Sequence, residues 1–198
     1  FEFGNCYHYN PDKKDEDCPI NAYAEETHLA LWLTGKRVSG SWIHPDESTS
    51  FYELRAYDQN ILRRVGMPQG MLVMEKTDNN VFSNGVVLKN RGGKSFVEMG
   101  IVSTALLKQN DIDVPVFYAD LHWDNIVKAV RKSVVSFKEI SKYPSVSRDL
   151  ALLLDNEIEF EQVERVAFQS EKKLLKKVEL FDVYQGDKLP VGKKSYAV

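Results

Sequence analysis

Apolar and polar residues alternate with a period of two in the first part of the chain. The alternation is clearest over residues 1–9 and 25–36, where three leucines of the second stretch share one face. The charged segment 10–19 separates the two stretches. We predict an antiparallel hairpin with a long loop, and we expect Trp32, on the face opposite the leucines, to pack in a core.

A helical period replaces the alternation after Ser50. Ser50 and Glu53 have the spacing of a capping box, in which each residue satisfies a backbone amide of the other. Gly66 ends the pattern and Pro68 prevents its resumption. The stretch predicts a helix whose apolar stripe consists of Leu54, Tyr57, Ile61, Leu62 and Val65.

Short strands and two short helices are predicted up to about residue 130. "NRGG" has the composition of a hairpin turn that needs positive φ. Strands do not alternate regularly with helices, so the fold class is α+β with an antiparallel sheet. The predicted strands are 71–76, 81–82, 86–89, 94–103 and 114–123, and the predicted helices are 103–112 and 124–132.

The composition changes between residues 131 and 147, where serine and lysine increase and Pro144 forces its predecessor to be extended. Beyond this segment we predict a strand at 150–154, a helix capped by Asn156, a strand at 178–184 and a strand from Lys194. This order, β-α-β-β, begins a ferredoxin-like β-α-β-β-α-β fold. We therefore divide the chain into domain 1–133, linker 134–147 and domain 148–198. Because the pattern starts and stops within strands, we expect both domains to be truncated.

Size and composition are those of a globular protein. The chain has 198 residues, 43% apolar and 28% charged, with a formal net charge of −3. That charge gives no global attraction to nucleic acid, so any such binding must come from local clusters. Only two cysteines occur, and no apolar run approaches the length of a membrane span, about 20 residues. These features favour a reducing, cytoplasmic setting.

Catalytic signatures are absent from the sequence. There is no phosphate-binding GxxxxGK[ST] loop, no dinucleotide fingerprint and no HExxH. Cys6, His8, Cys18 and His28 invite a zinc interpretation, but none has the close paired spacing typical of zinc ligands. We predict neither a catalytic residue nor a metal site in this chain.

Basic residues cluster at two places near the carboxyl end. The first cluster lies at the end of the predicted last helix. Cations suit a helix C-terminus and charge runs usually face solvent, so we interpret the cluster as a solvated face. It comprises Lys172, Lys173, Lys176 and Lys177. Lys193 and Lys194 lead into a strand beside Ser195, and for them a solvated face and a phosphate contact remain equal alternatives.

Two ordered motifs resemble the C-terminal anticodon-binding domain of bacterial phenylalanyl-tRNA synthetase β subunits. The family patterns are K[FY]P-x-[VS]-x-RDLA and, further on, [LV]-F-D-x-Y-x-G-x-x-[IL]-P-x-G-x-K-S-x-A. This sequence has "KYPSVSRDLA" and "LFDVYQGDKLPVGKKSYA" in that order. The matching positions are Lys142, Tyr143, Pro144, Arg148, Asp149, Leu150, Ala151, Phe181, Asp182, Tyr184, Gly186, Pro190, Gly192, Lys194, Ser195 and Ala197.

The first 130 residues are similar to the catalytic-like module of the same family. "FEFGNCY", "HLALWLTGKR", "FYELRAYDQNILRRVG" and "VPVFYADLHW" occur in the family's order. The resemblance implies a class II synthetase-like antiparallel sheet without catalytic residues, which packs against a catalytic α subunit in an α2β2 heterotetramer. ATP and magnesium would serve the holoenzyme, whereas this segment would bind neither; the family's editing and magnesium sites lie in domains upstream of it.

The resemblance also implies contact with the anticodon region of the tRNA for phenylalanine. Single-stranded RNA is bound through stacked bases and phosphate contacts. The candidate residues are Lys142, Tyr143, Arg148, Lys193, Lys194 and Ser195. Tyr143 is the candidate stacking residue, and Arg148 has an alternative role, in which it pairs with Asp149 and holds the linker to the first strand.

Two functional hypotheses follow. In the first, the chain is a non-catalytic part of a phenylalanine–tRNA ligase that supports the α subunit and docks the anticodon. In the second, it is a synthetase-like paralogue that binds proteins or RNA without ligase activity.

Overall fold

The computed structural model describes residues 1–14, 17–68, 70–134, 137 and 139–198. It divides the chain into two compact units, Phe1–Phe137 and Lys138–Val198. The predicted linker 134–147 includes Val135, Ser136 and Lys138, which lie outside the described residues. Within the described part of the chain, no helix combines the length and apolar content that crossing a bilayer requires.

The first unit is built on a six-stranded antiparallel sheet with the order β1-β2-β8-β7-β6-β5. A separate short ladder joins β3 and β4. The strands are β1 Glu2–Tyr9, β2 Tyr23–Thr34, β3 Lys36–Val38, β4 Glu47–Ser48, β5 Leu72–Thr77, β6 Phe82–Asn90, β7 Ser95–Val102 and β8 Val116–His122. The helices are α1 Phe51–Arg64, α2 Thr104–Gln109 and α3 Trp123–Val130, with 3₁₀ turns at Pro11–Lys13 and Pro19–Ala22.

The predicted hairpin is confirmed as β1 and β2, which pair from Glu2↔Ala30 to Tyr9↔Tyr23. The other neighbour of β2 in the sheet is β8, which lies about 90 residues further along the chain. The two strands pair from His28↔His122 to Thr34↔Val116. The leucines of β2 contact the core, as the alternation predicts. Trp32, however, is 52% exposed, because it lies on the sheet face opposite the core, so the expected core position is wrong.

Helix α1 begins and ends where the sequence predicts. The Ser50 hydroxyl accepts a hydrogen bond from the Glu53 amide (3.4 Å), and Gly66 adopts φ 86°. The amide of Met67 donates to Leu62 O (2.9 Å), which completes a Schellman cap. The second hydrogen bond of the predicted capping box, from the Ser50 amide to the Glu53 carboxylate, is missing from the described contacts. The Glu53 carboxylate accepts instead from the Tyr57 hydroxyl (3.2 Å).

The stripe of α1 that faces the sheet lacks Tyr57 and includes Asp58 and Phe51, which the predicted stripe did not contain. Tyr57 is 48% exposed, whereas Asp58 is fully buried between Leu54 and Leu62, one turn away on either side. The carboxylate of Asp58 accepts from Arg55, yet its second oxygen has no partner among the described residues. Burial raises the pKa of Asp58 to about 6, against the opposing effect of the Arg55 charge.

The core of the first unit lies between this sheet and α1 and α3. Leu54, Val97, Met99, Leu121 and Ile126 are completely or almost completely buried. Each such side chain contributes about 1.5–3 kcal/mol relative to an exposed position. The register places Val97 opposite Leu121 and Met99 opposite Ala119, so the core side chains share one face of the sheet.

Strand β6 is longer than predicted. The two short strands expected at 81–82 and 86–89 form one strand, Phe82–Asn90, with an irregularity between Phe82 and Asn84. Gly85 lies opposite Gly100 of β7, and a side chain on Gly100 would come within 2.4 Å of Asn84 O. The close approach of two backbones explains why glycine interrupts the apolar pattern without ending the strand.

The second unit has a three-stranded antiparallel sheet with the order β10-β11-β9 and one helix, which confirms the predicted β-α-β-β order. The elements are β9 Ala151–Asp155, α4 Phe160–Ser170, β10 Asp182–Tyr184 and β11 Lys193–Ala197. Asn156 does not cap α4, because the helix begins later, at Phe160, with Glu159 in the N-cap position. The backbone N–H of Asn156 donates to Gly192 O (3.0 Å). The strand predicted at 178–184 is limited to its last three residues.

Candidate nucleic-acid interface

The pairing register gives the second unit's sheet two faces of different character. On one face, Lys194 and Tyr196 are buried and pair with Leu154 and Leu152, and the Tyr196 ring meets Phe160 of α4 (6.3 Å between centroids). The other side, here called the open face, is more exposed. It carries Ala151, Leu153, Asp155, Asp182, Tyr184, Lys193, Ser195 and Ala197.

Lys193 and Ser195 lie on the open face, where a single-stranded nucleic acid could reach them. The Lys193 ammonium lies 2.6 Å from Asp155 Oδ1 across the strand pair, and both side chains are substantially exposed. A surface ion pair of this kind stabilises a fold by only about 0–1 kcal/mol. Exchanging the carboxylate for a phosphate therefore costs little folding free energy.

Lys194 points to the opposite face and is 6% exposed. Its ammonium donates to Asn156 O (2.9 Å) and lies 4.7 Å from the centroid of the Tyr196 ring. These contacts hold the turn between β9 and α4 against β11. The geometry thus gives Lys194 a structural role and argues against a direct phosphate contact from it.

Lys142, Tyr143 and Arg148 lie on the exposed segment that precedes β9 and has no regular secondary structure. Tyr143 is 85% exposed, so its ring is available for stacking. Arg148 donates to Ser147 O (3.2 Å), and the described contacts contain no ion pair between Arg148 and a carboxylate. The alternative role of Arg148, a clamp with Asp149, gains no support from this arrangement.

The candidate residues occupy opposite ends of the β9–β11 ladder. Leu150 exchanges backbone hydrogen bonds with Val198, whereas Asp155 pairs with Lys193 at the other end. At about 3.4 Å per residue, these ends are roughly 17 Å apart. Arg148 and Lys193 could therefore contact the same RNA only if several nucleotides cross the open face.

Tyr184 is a candidate stacking residue that the sequence motif contained but our site prediction omitted. It lies on the edge strand β10, opposite Ser195 of the central strand β11, and is 42% exposed on the open face. A side chain on Gly186 would come within 2.6 Å of the Tyr184 hydroxyl oxygen, so the glycine leaves room for the ring. Residues that lie opposite each other on paired strands share a face of the sheet. Applying this rule to Ser195 and the predicted strand that ends at Tyr184 would have identified Tyr184.

The cluster Lys172, Lys173, Lys176 and Lys177 does not lie at the end of α4 as predicted. The helix ends at Ser170, and the Glu171 carboxylate accepts from the amides of Lys173 (2.7 Å) and Leu174 (2.9 Å). The amides of Leu174 and Lys173 lower the pKa of the Glu171 carboxyl. Since the lysines follow the helix, its dipole does not explain their clustering, and they form a solvated loop in which Lys177 pairs with Glu179.

In the first unit, the sheet face opposite the core also bears polar groups. Trp32 stacks on Tyr118 with ring centroids 3.9 Å apart, and the neighbouring Asp120 accepts from His28 Nδ1 (2.7 Å). Burial and the nearby Asp120 charge raise the pKa of Tyr118 to about 12. Among the described residues, His8, Glu26 and His28 form a group of side chains that could hold a metal ion.

The fold, together with matches to two protein families, defines the class of this protein. Residues 141–198 match the ferredoxin-fold anticodon binding domain, and residues 1–123 match the phenylalanyl tRNA synthetase beta chain CLM domain. The chain is therefore an α+β protein with an antiparallel synthetase-like sheet followed by a module of the anticodon-binding class. It belongs to the family of the phenylalanyl tRNA synthetase beta chain CLM domain, which covers the larger part of its length.

Similar proteins carry a consistent name. The phenylalanine–tRNA ligase beta subunit of Bacteroides thetaiotaomicron is 50% identical over all 198 residues of this chain, which cover 24% of that protein. The corresponding subunit of Porphyromonas gingivalis is 43% identical over the same length, and that of Bacillus licheniformis is 30% identical over 178 residues, 87% of the chain. The chain thus spans about a quarter of the length of the curated relatives it matches.

Proposed function

We propose that this chain is a non-catalytic part of a phenylalanine–tRNA ligase β subunit. The holoenzyme would attach phenylalanine to its tRNA with ATP and magnesium, in the cytoplasm, as an α2β2 assembly. The observation that carries the proposal is the match of two family domains, in order, over nearly the whole chain. The alternative of a paralogue without ligase activity is not favoured, because relatives that cover the chain completely bear the ligase name.

Within this assembly, we assign the first unit to support of the α subunit and the second to docking of the tRNA anticodon region. The open face supports the second assignment because it combines a cation, a hydroxyl and an aromatic ring: Lys193, Ser195 and Tyr184. Such a combination suits an unpaired nucleotide strand, whose bases stack and whose phosphates attract cations. Lys142, Tyr143 and Arg148 would extend the contact beyond the ladder, and Lys194 would position the turn beneath it.

The docking role is tested by binding of phenylalanine tRNA to the complete β subunit, purified with its α subunit, at several salt concentrations. Lys193→Ala and Arg148→Ala should each weaken binding several-fold and reduce the slope of log K against log salt by about 0.7, the value for one phosphate contact to a single strand. Tyr184→Ala should weaken binding by about 1–3 kcal/mol with an unchanged slope, because stacking is not electrostatic.

Lys177→Ala is the matched control, since it removes the same charge from the solvated loop of the same unit. Asp155→Asn provides a complementary variant: it releases the Lys193 ammonium from its ion pair and should strengthen binding. If Lys193→Ala and Arg148→Ala bind tRNA with the affinity and salt slope of Lys177→Ala, the open face is not the docking surface.

The non-catalytic role is tested by phenylalanine-dependent exchange between ATP and pyrophosphate. The assembled α and β subunits should catalyse the exchange, and the β subunit alone should not. Exchange by the β subunit without α would contradict the assignment of the active site to the partner.

A further inference from the structure

The hairpin β1–β2 brings together three side chains with the chemistry of a transition-metal site. His8, Glu26 and His28 each offer one ligand atom, and these atoms all lie within 4.8 Å of one another. The pairing explains their meeting. His8 lies opposite Ala24, so its side chain reaches diagonally towards Glu26 and His28, which occupy alternate positions on the same face of β2.

His28 is held in the orientation that a metal ligand needs. Its Nδ1 lies 2.7 Å from Asp120 Oδ1, and the remaining nitrogen, Nε2, is buried and has no hydrogen-bond partner among the described residues. An imidazole that donates one N–H to a carboxylate carries its lone pair on the other nitrogen, and metal-binding histidines almost always have such a partner. Nε2 faces Glu26 Oε2 at 3.6 Å, which is too long for a hydrogen bond.

One of the three distances between ligand atoms is close to that of a filled site. Zinc binds imidazole nitrogen and carboxylate oxygen at about 2.0–2.2 Å, which places neighbouring tetrahedral ligands roughly 3.4 Å apart. The pair His28–Glu26 is near this separation. His8 is exposed, so its side chain is able to rotate and close the remaining gap.

We propose that His8, Glu26 and His28 bind a divalent transition-metal ion, with Zn²⁺ as the best match and Asp120 as the positioning residue. Two imidazoles and one carboxylate leave a fourth position for water. Nitrogen ligands favour zinc and its neighbours over magnesium or calcium, which prefer oxygen. The site lies entirely within the first unit and does not depend on a tRNA-docking role.

The metal would attach an edge strand that has little other support. Every residue of β1 is exposed, so hydrogen bonds to β2 and surface side-chain contacts hold the strand. An ion shared between His8 on β1 and Glu26 and His28 on β2 would tie the two strands together near the loop that joins them. Zinc should therefore slow hydrogen exchange of the β1 amides as well as bind in a defined amount.

The test measures zinc bound per β subunit, by equilibrium dialysis of the complete β subunit with its α subunit and elemental analysis, together with hydrogen exchange of β1. The wild-type protein should bind one zinc equivalent more than His8→Asn or His28→Asn, and zinc should protect β1 only in the wild type. Asp120→Ala should weaken binding by about 10- to 100-fold, the effect expected for loss of the group that orients a ligand.

His44→Asn is the matched control, because His44 is exposed and lies outside the group. Its zinc content should equal that of the wild type. His8 is itself exposed, so His8→Asn removes a ligand without disturbing a buried side chain. Equal zinc content in the wild type, His8→Asn and His28→Asn would overturn the site, and loss in only one histidine variant would overturn the three-residue ligand set.

Discussion

Replacing Asp58 with asparagine should stabilise the first unit at neutral pH and remove part of the pH dependence of its stability. Asp58 is fully buried on α1, and one of its oxygens has no partner among the described residues. Burial raises its pKa from 3.8 to about 6, despite the Arg55 charge beside it. The folded protein therefore holds a proton on this carboxyl more tightly than the unfolded chain does.

The sign and size of the effect follow from that pKa. Because the folded pKa lies above the unfolded one, the contribution of Asp58 to stability is fully present below about pH 4 and is lost as the pH rises through about 6. At 1.36 kcal/mol for each pH unit, a rise of about two units in pKa corresponds to a loss of about 3 kcal/mol by pH 7. An asparagine side chain carries no titrating proton, so the variant should not show this loss.

The measurement is urea unfolding of the wild type and Asp58→Asn at pH 4, 5, 6 and 7, followed by tryptophan fluorescence. All three tryptophans, Trp32, Trp42 and Trp123, belong to the first unit, so the signal reports its unfolding. The difference in unfolding free energy between variant and wild type should grow by about 2.4 kcal/mol from pH 4 to pH 7, because a small part of the loss has already occurred at pH 4. Subtracting the two proteins at each pH cancels every other titrating group.

Two further variants sharpen this test. Asp113→Asn removes an exposed carboxylate from the same unit and should leave the pH dependence near that of the wild type. Arg55→Gln removes the charge that lowers the pKa of Asp58, so the loss of stability should extend to higher pH. A difference between wild type and Asp58→Asn that stays constant from pH 4 to pH 7 would refute the reasoning.

Two more predictions concern packing in each unit. Gly100→Ala should destabilise the first unit by about 1–3 kcal/mol, because the new methyl group would meet Asn84 O at 2.4 Å and Gly85 Cα at 2.8 Å. Urea unfolding followed by tryptophan fluorescence measures the loss of stability. An unchanged unfolding midpoint would show that β6 and β7 can separate without cost. Lys194→Met should destabilise the second unit by about 1–3 kcal/mol, because it leaves Asn156 O without its donor. Lys193→Ala should change stability by less than about 1 kcal/mol, and hydrogen exchange of β9 amides distinguishes the two lysines; equal effects would contradict their opposite orientations.

Local patterns accounted for much of the secondary structure. The alternation around the three leucines of β2 and the cap residues Ser50 and Gly66 act over a few residues, so their consequences for β1, β2 and α1 are visible in the sequence. The order β-α-β-β of the second unit is predictable for the same reason. Two predictions in this unit were wrong. Asn156 lies in a turn held by a long-range backbone bond to Gly192 and does not cap the helix, and the strand that ends at Tyr184 is limited to the three residues that pair with β11.

The candidate sites depended on which strands become neighbours and on the face that each residue occupies. Five of the six candidate residues for RNA binding are motif positions, and Lys193 came from the basic cluster beside them. Only the register of β9 and β11 separates partly exposed Lys193 from buried Lys194. Likewise, His8 and His28 lie far apart in the chain, and their spacing argued against a metal site. The hairpin register and the pairing of β2 with β8 place Glu26 and Asp120 beside His28.

Periodicity, caps and turn residues are short-range properties, so the α+β class, the main helix and the first hairpin can be inferred from the amino-acid order alone. Tertiary packing sets which groups lose contact with water and which meet across strands. Those outcomes depend on free energies of burial and pairing between residues far apart in the chain. They explain why Asp58 is buried where Tyr57 was expected, and why Trp32 is half exposed.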